Sequence, residues 1–328
     1  MKKTFVVSGM MFLVFGWGFL PSLTSVKAET ASELKQVIKN ETNTISADKK
    51  TQLELLNPGT GTKQKLRFQP PVNLKETAIV RMKMNINISI GGQASPSFKQ
   101  PETVTTLQTK VTKIDPNGDI HYEFYYSDVD LVGDTDLPPA ALNSLKSQLQ
   151  KLVGFKGSAI VDPQGKTKKL NFVLPEGVDA NLKLLMQQMS NSIEQLSLQI
   201  PQQAVGVGSQ WRVTSNINAG GMNFQQITTY KLINLEKGIA TFNIAVEQIA
   251  PPSQNLNTPG LPAGVTLSLK SYQGKGQGEM TVALNKLMPV TSKMSLLTDM
   301  QLSQKQVGRV AETAIKQKIS MDMNLESK

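Results

Sequence analysis

Val80-Arg-Met-Lys-Met-Asn-Ile-Asn-Ile-Ser-Ile90 decides the fold. Val80, Met82, Met84, Ile86, Ile88 and Ile90 alternate with Arg81, Lys83, Asn85, Asn87 and Ser89. Strict period two over this length is a long strand with one buried and one wet face. A slip of one residue would move every apolar side chain into water, so the residues themselves specify the register. The same rhythm returns at Ile120-Tyr122-Phe124-Tyr126, Ala240-Phe242-Ile244-Val246 and Val265-Leu267-Leu269. It closes the chain with Ile319, Met321, Met323 and Leu325 on one face.

The turns between these runs have a chemistry of their own. Asp115-Pro-Asn-Gly118, Asp162-Pro-Gln-Gly165 and Leu235-Glu-Lys-Gly238 each separate two strand-like runs. Proline presets φ for a turn and glycine accepts positive φ. Three such hairpins imply an antiparallel meander. Pro138-Pro139 opens a helix whose Leu142, Leu145, Leu149 and Leu152 recur at helical spacing. A second amphipathic helix is expected over about 178–198, with Val178, Leu182, Leu185, Met186, Met189, Ile193 and Leu196 on one stripe. The expected fold is therefore mainly β (α+β): a long curved antiparallel sheet or incomplete barrel with two central helices packed on it.

Residues 1–28 say where such a chain works. Lys2 and Lys3 precede an apolar run from Phe5 to Leu20, Pro21 breaks it, and Val26-Lys27-Ala28 offers a small-x-small cleavage site. That is the order of parts in a signal peptide, and the run is shorter than the roughly 20 residues of a transmembrane helix. The expected organisation is a signal peptide over 1–28, then an N-terminal helix near Ala31–Asn40 and a polar linker to residue 60. A single β-rich domain follows over 61–328. Its halves, about 61–175 and 200–328, repeat one order of parts and are joined by the helix at 177–198. A strand led by Gly61 or Gly208 opens each half. A hairpin arm at Thr105–Val111 or Thr228–Leu232 follows, then a glycine-bearing strand pair at Phe155-Lys-Gly157 or Tyr272-Gln-Gly274. The mature protein is expected outside the cytoplasm, periplasmic or secreted, with no further membrane span.

Composition narrows the function. There is no cysteine, so no disulfide, thiolate chemistry or N-terminal lipidation through a lipobox. The formal charge is +10, of which Lys2, Lys3 and Lys27 belong to the leader. The remaining lysines and arginines are dispersed, whereas nucleic-acid binders concentrate them on one face. Aromatic residues make up 5 %, leaving few stacking platforms for sugars.

The catalytic inventory is poor. His121 is the only histidine, so a Ser-His-Asp triad, a Cys-His pair or a histidine-based zinc site lacks parts. Its place beside Tyr122 reads as a solvent-facing strand position. Asp128, Asp130, Asp134 and Asp136 form an acidic patch that holds carboxylates at calcium-like spacing, but without the EF-hand pattern. A polar strand exit before the Pro138 helix accounts for it better. Gly274-Lys-Gly276-Gln-Gly278 imitates a phosphate loop, yet another strand follows it rather than a helix. Glycines inside a strand mark a bend or bulge.

Methionine remains. Met82, Met84, Met294, Met300, Met321 and Met323 lie on predicted strands. Thioethers bind Cu(I), but these residues alternate within strands instead of clustering in loops. They read as core, or as the wall of a pocket for variable apolar ligands. With Ile86 and the helix residues Leu182, Leu185, Met186 and Met189, they form the candidate pocket.

Pro201-Gln-Gln-Ala-Val205-Gly-Val207-Gly208-Ser-Gln-Trp211 resembles the P…V-x-V-G-x-x-W segment of an uncharacterised family of exported bacterial proteins with Met-rich alternating strands. The likeness spans roughly residues 60–303. That family has no assigned activity, so it implies an envelope location and no catalytic residue. Many members are lipoproteins, from which the missing cysteine departs. The layout is also similar to the lipoprotein-carrier half-barrels of the bacterial envelope. The reading that results is a non-catalytic binder of a hydrophobic or amphiphilic ligand, with lipid or envelope components as partners, no nucleic acid and no cofactor. A scaffolding protein with a filled core is the alternative, and a calcium- or carboxylate-dependent enzyme the third.

Overall fold

The computed structural model describes residues 44–46, 51–95, 99–173, 198–219, 221–256, 264–308 and 311–328. The alternating stretch becomes β3 (Lys75–Ile90), in which Met84 and Ile86 are buried and Lys83, Asn85 and Asn87 are exposed. Around it one antiparallel sheet assembles. The first run of strands is β1 (Thr44–Ser46), β2 (Gln52–Asn57), β3, β4 (Gln93–Ala94), β5 (Glu102–Ile114) and β6 (Ile120–Val132). Helix α1 (Pro139–Gln150) separates these from β7 (Lys156–Val161) and β8 (Thr167–Val173). The second run is β9 (Gln210–Ala219), β10 (Met222–Glu236), β11 (Ile239–Ala250), β12 (Asn255–Leu256), β13 (Val265–Ala283), β14 (Thr291–Gln306) and β15 (Thr313–Ser327).

The ladder runs β1-β8-β7-β6-β5-β3-β15-β14-β13-β11-β10-β9-β2, with β4 added to β3 and β12 to β13. It is long, antiparallel and not closed into a barrel. Strands of residues 75–173 fill one stretch and those of 210–327 the other, and they meet where β3 pairs with β15. The two ends of the ladder are β1 and β2, which are neighbours in the chain.

The three expected hairpins form. Gly118 and Gly165 donate to Asp115 and Asp162 at positive φ, and Lys237-Gly238 supplies two positive-φ residues between β10 and β11. Two positive-φ residues match the twist of a tight hairpin. The first expected helix is α1, which starts at the proline pair. Its Leu149, with Leu152 beyond it, packs on Val129 of β6. The leader over 1–28, the helix near 31–40 and the helix at 178–198 lie outside the described residues. Among the described residues no helix is long and apolar enough to cross a membrane.

Three local expectations change. The polar stretch before residue 60 holds the edge strands β1 and β2. Hydrogen bonds outweigh polarity there, because a sheet edge offers unpaired backbone groups. The segment opened by Gly61 is not a strand. It forms a single isolated bridge, Gln64 with Val205, outside the named strands, and then Phe68 and Gln69 donate to Pro163 and Leu284. It thus crosses the end of the curved sheet between hairpins of both halves. Finally, Gly274, Gly276 and Gly278 lie in an unbroken ladder, and the register shift of β13 falls earlier, between Leu269 and Ser271. Their role is to make room. A Cβ at 274 would press on Gln248, one at 276 on Leu296, and one at 278 on Met294 and the Lys293 carbonyl.

Candidate functional site

Because paired residues share a face, the inward side chains form rows across the sheet. One row runs Gly278, Met294, Met323, Met82, Thr103, and the next runs Met280, Ser292, Leu325, Val80, Thr105. On this inward face lies a cavity of about 230 Å³. Val80 and Met82 of β3, Met321, Met323 and Leu325 of β15, and Met280 and Val282 of β13 make its aliphatic and thioether side. Thr103, Thr105, Leu107 and Thr109 of β5 and Tyr122, Phe124 and Tyr126 of β6 continue its wall. The β13–β14 turn, Leu287-Met-Pro289, and Phe68, Gly165 and Leu198 border it as well.

Exposure along β3 marks the cavity. Ala78, Met84 and Ile86 are buried, but Val80 and Met82 between them are only half-buried while facing the same way. The cavity therefore interrupts a filled interior. To one side Met84, Ile86, Met300 and Met321 belong to an apolar cluster with Ile319 and Leu302. To the other, Trp211, Tyr230, Phe242 and Met280 belong to a second cluster.

Of the expected pocket residues, the structure brings Met82, Met321 and Met323 together at the cavity. Met84, Ile86 and Met300 are core instead, because they stand farther along their strands where the rows close up. Met294 is one rung from Met323, but its side chain folds over Gly278 and packs on the second cluster. Leu182, Leu185, Met186 and Met189 lie outside the described residues. The glycine is what lets Met294 fold away. Gly278→Ala is expected to cost about 1–3 kcal/mol by overpacking, read as a lowered urea midpoint; an unchanged midpoint would show that Met294 has free space elsewhere.

A buried carboxylate sits behind the wall of the cavity, bonded to the backbone of Leu287 and Met288. Glu76 continues the inward row of β3 two residues below Ala78 and is 3 % exposed. Its Oε2 accepts from the backbone N–H of Leu287 at 2.9 Å and of Met288 at 3.2 Å. Its Oε1 is buried without a partner, as are the hydroxyls of Ser292 and Ser327. Burial pushes the Glu76 carboxyl above its ordinary pKa, against the pull of the two N–H groups and of Lys286. Burial also pushes the Tyr122 hydroxyl up to about 12.

Other candidates resolve into structural pairs. His121 is half-buried, with Nε2 2.6 Å from Asp115 Oδ2, and Lys113 lies 2.6 Å from Oδ1 of the same carboxylate. Lys113, first, and then His121 hold the Asp115 carboxyl below its usual range. In the acidic patch Asp130 pairs with Lys146 of α1 and Asp134 with Lys99. Among the described residues no group of three or more His, Asp or Glu is arranged to hold a metal ion.

Sequence reasoning missed Glu76, Met280, Met288, the β5 threonines and Tyr122. Glu76 was findable: extending the alternation of β3 backwards puts a carboxylate on the apolar face. The threonines were not, since Thr-Val-Thr-Thr-Leu-Gln-Thr has β-formers on both faces.

Residues 180–287 match the sequence profile of a family of unknown function, DUF6263. The matched stretch holds β9 to β13 and the first residues of the turn that bonds Glu76. It includes the Pro201–Trp211 segment. No curated protein matches the chain.

Proposed function

We propose that the protein is an exported, non-catalytic binder of a hydrophobic or amphiphilic molecule, held in the cavity between the sheet's inward rows. The observation that supports this most is the interrupted packing of β3: Val80 and Met82 face an apolar space while their neighbours on the same row are buried. At about 230 Å³ the space sits just below drug-sized pockets of roughly 300–1,000 Å³, a fit for one slender chain. Methionines at 82, 280, 321 and 323 give walls that adapt to chains of different shape. The envelope location rests on the leader-like residues 1–28.

Delipidated protein is expected to take up the neutral apolar fluorophore N-phenyl-1-naphthylamine, with blue-shifted emission. Val80→Phe, which fills the space from the middle of β3, should weaken that uptake at least tenfold and leave the far-UV spectrum unchanged. Uptake that is absent, or indifferent to Val80→Phe, favours a scaffolding protein.

A further inference from the structure

We infer that the cavity admits only uncharged molecules, and that the hydroxyls of β5 and β6 hold an oxygen acceptor on them, as in an ester. This rests on the cavity being a binding site, as proposed above. Its wall has two characters. Methionine, valine and leucine side chains make most of it. The rest carries hydroxyls, among them Thr105 and Thr109 of β5 and Tyr122 and Tyr126 of β6. Thr109 pairs with Phe124, and Leu107 with Tyr126. Tyr122 and Tyr126 therefore stand one diagonal to either side of Thr109, within reach of aromatic side chains.

These hydroxyls are open to a guest. Ser292 also lines the cavity, but its Oγ is shut inside the wall. The threonine and tyrosine oxygens are not. Among the described residues none of the four is hydrogen-bonded, and none is cut off from accessible surface. Burial pushes the Tyr126 phenol up, and the Tyr122 phenol close by adds to that. Both phenols therefore stay protonated at neutral pH and can donate. A carbonyl oxygen, with two lone pairs, suits such donors.

Charge has no place there. Among the described residues that line the cavity, none is charged. A carboxylate or ammonium inside would lose its water and find no opposite charge, a penalty that hydroxyls alone do not offset. Glu76 does not change this: it is 3 % exposed, behind the wall, and bonded to the backbone of Leu287 and Met288.

Decanoic acid tests the charge within one molecule. Its apparent affinity, read by displacement of the naphthylamine fluorophore, should fall about tenfold per unit between about pH 6 and pH 8, as the neutral form is used up. Methyl decanoate does not titrate and should bind equally throughout, which controls for Glu76 and every other protein group. The oxygen is tested with Tyr122→Phe/Tyr126→Phe, which keeps both rings. Methyl decanoate should lose about tenfold, the scale of one hydrogen bond. Dodecane, of equal chain length and without oxygen, should keep its affinity. The pH series needs no substitution, so it stands whether or not the variant folds. A decanoate affinity that levels off across the pH series, or equal losses of ester and dodecane in the variant, overturns the inference and leaves the cavity reading intact. Absence of fluorophore uptake by the native protein overturns both.

Discussion

Met84→Asp is expected to unfold the protein or to cost at least about 4 kcal/mol, whereas Asn87→Asp on the same strand should be close to neutral. Met84 is 8 % exposed and packs in a cluster with Ile86, Leu296, Ile319 and Met321. An aspartate there would be an unpaired charge among aliphatic side chains, among the most destabilising single changes. Asn87 is exposed and lies across from Lys318 of β15 in the ladder, so a new carboxylate meets a cation. Guanidinium melts of the two variants provide the comparison. Equal losses would reverse the assignment of the two faces of β3, and with it the location of the cavity.

Trp211→Ala should cost about 3–5 kcal/mol. The indole is fully buried, stacked on Tyr230 with ring centres 5.6 Å apart and edge-on to Phe242 at 5.5 Å. Its Nε1 donates to the Gln199 carbonyl at 2.8 Å. Truncation therefore opens a void and strands a carbonyl at once. The bond also ties down residues 198–205, whose Leu198, Ile200 and Val205 share the tryptophan's cluster, and Leu198 borders the cavity. Trp211→Phe keeps most of the packing and loses the bond, so about 1–2 kcal/mol is expected. Thermal melts of both variants separate the two contributions; equal losses would mean that the void is negligible.

The long strands, their faces and the hairpins were legible because one residue in two along β3, β11 and β15 is apolar and the turns carry proline or glycine where φ demands them. Helix α1 was legible from its proline pair and leucine spacing. Legibility failed where inward residues are polar. Gln226, Gln248 and Gln317 are buried on the concave side, and Gln248 donates to Gln226 and accepts from Tyr272. By alternation alone such residues are assigned to solvent. Register shifts hide more: an extra residue at Ser127 of β6, opposite Thr106 and Leu107, and another at Thr112 of β5, between Val111 and Lys113, change which side chains of each strand face inward. The candidate site was only partly visible for a related reason. Sequence identifies which methionines share a face, but whether a row is filled depends on side chains arriving from other strands. Gly278 draws Met294 away from the cavity wall, whereas the same row retains Met82 and Met323.

The ends of the ladder carry a mechanical consequence. β1 pairs with β8 at one margin and β2 with β9 at the other, yet Ser46 and Gln52 are only six residues apart. At most about 3.6 Å per residue, the covalent chain keeps the two margins within roughly 22 Å. The sheet is thus open in hydrogen bonds between β1 and β2, yet its two margins are tethered by covalent continuity. Any parting of the two margins at that point is bounded by this covalent length. An upper limit on how far the two margins can part at that point is thereby written into the chain itself, independently of any side-chain packing.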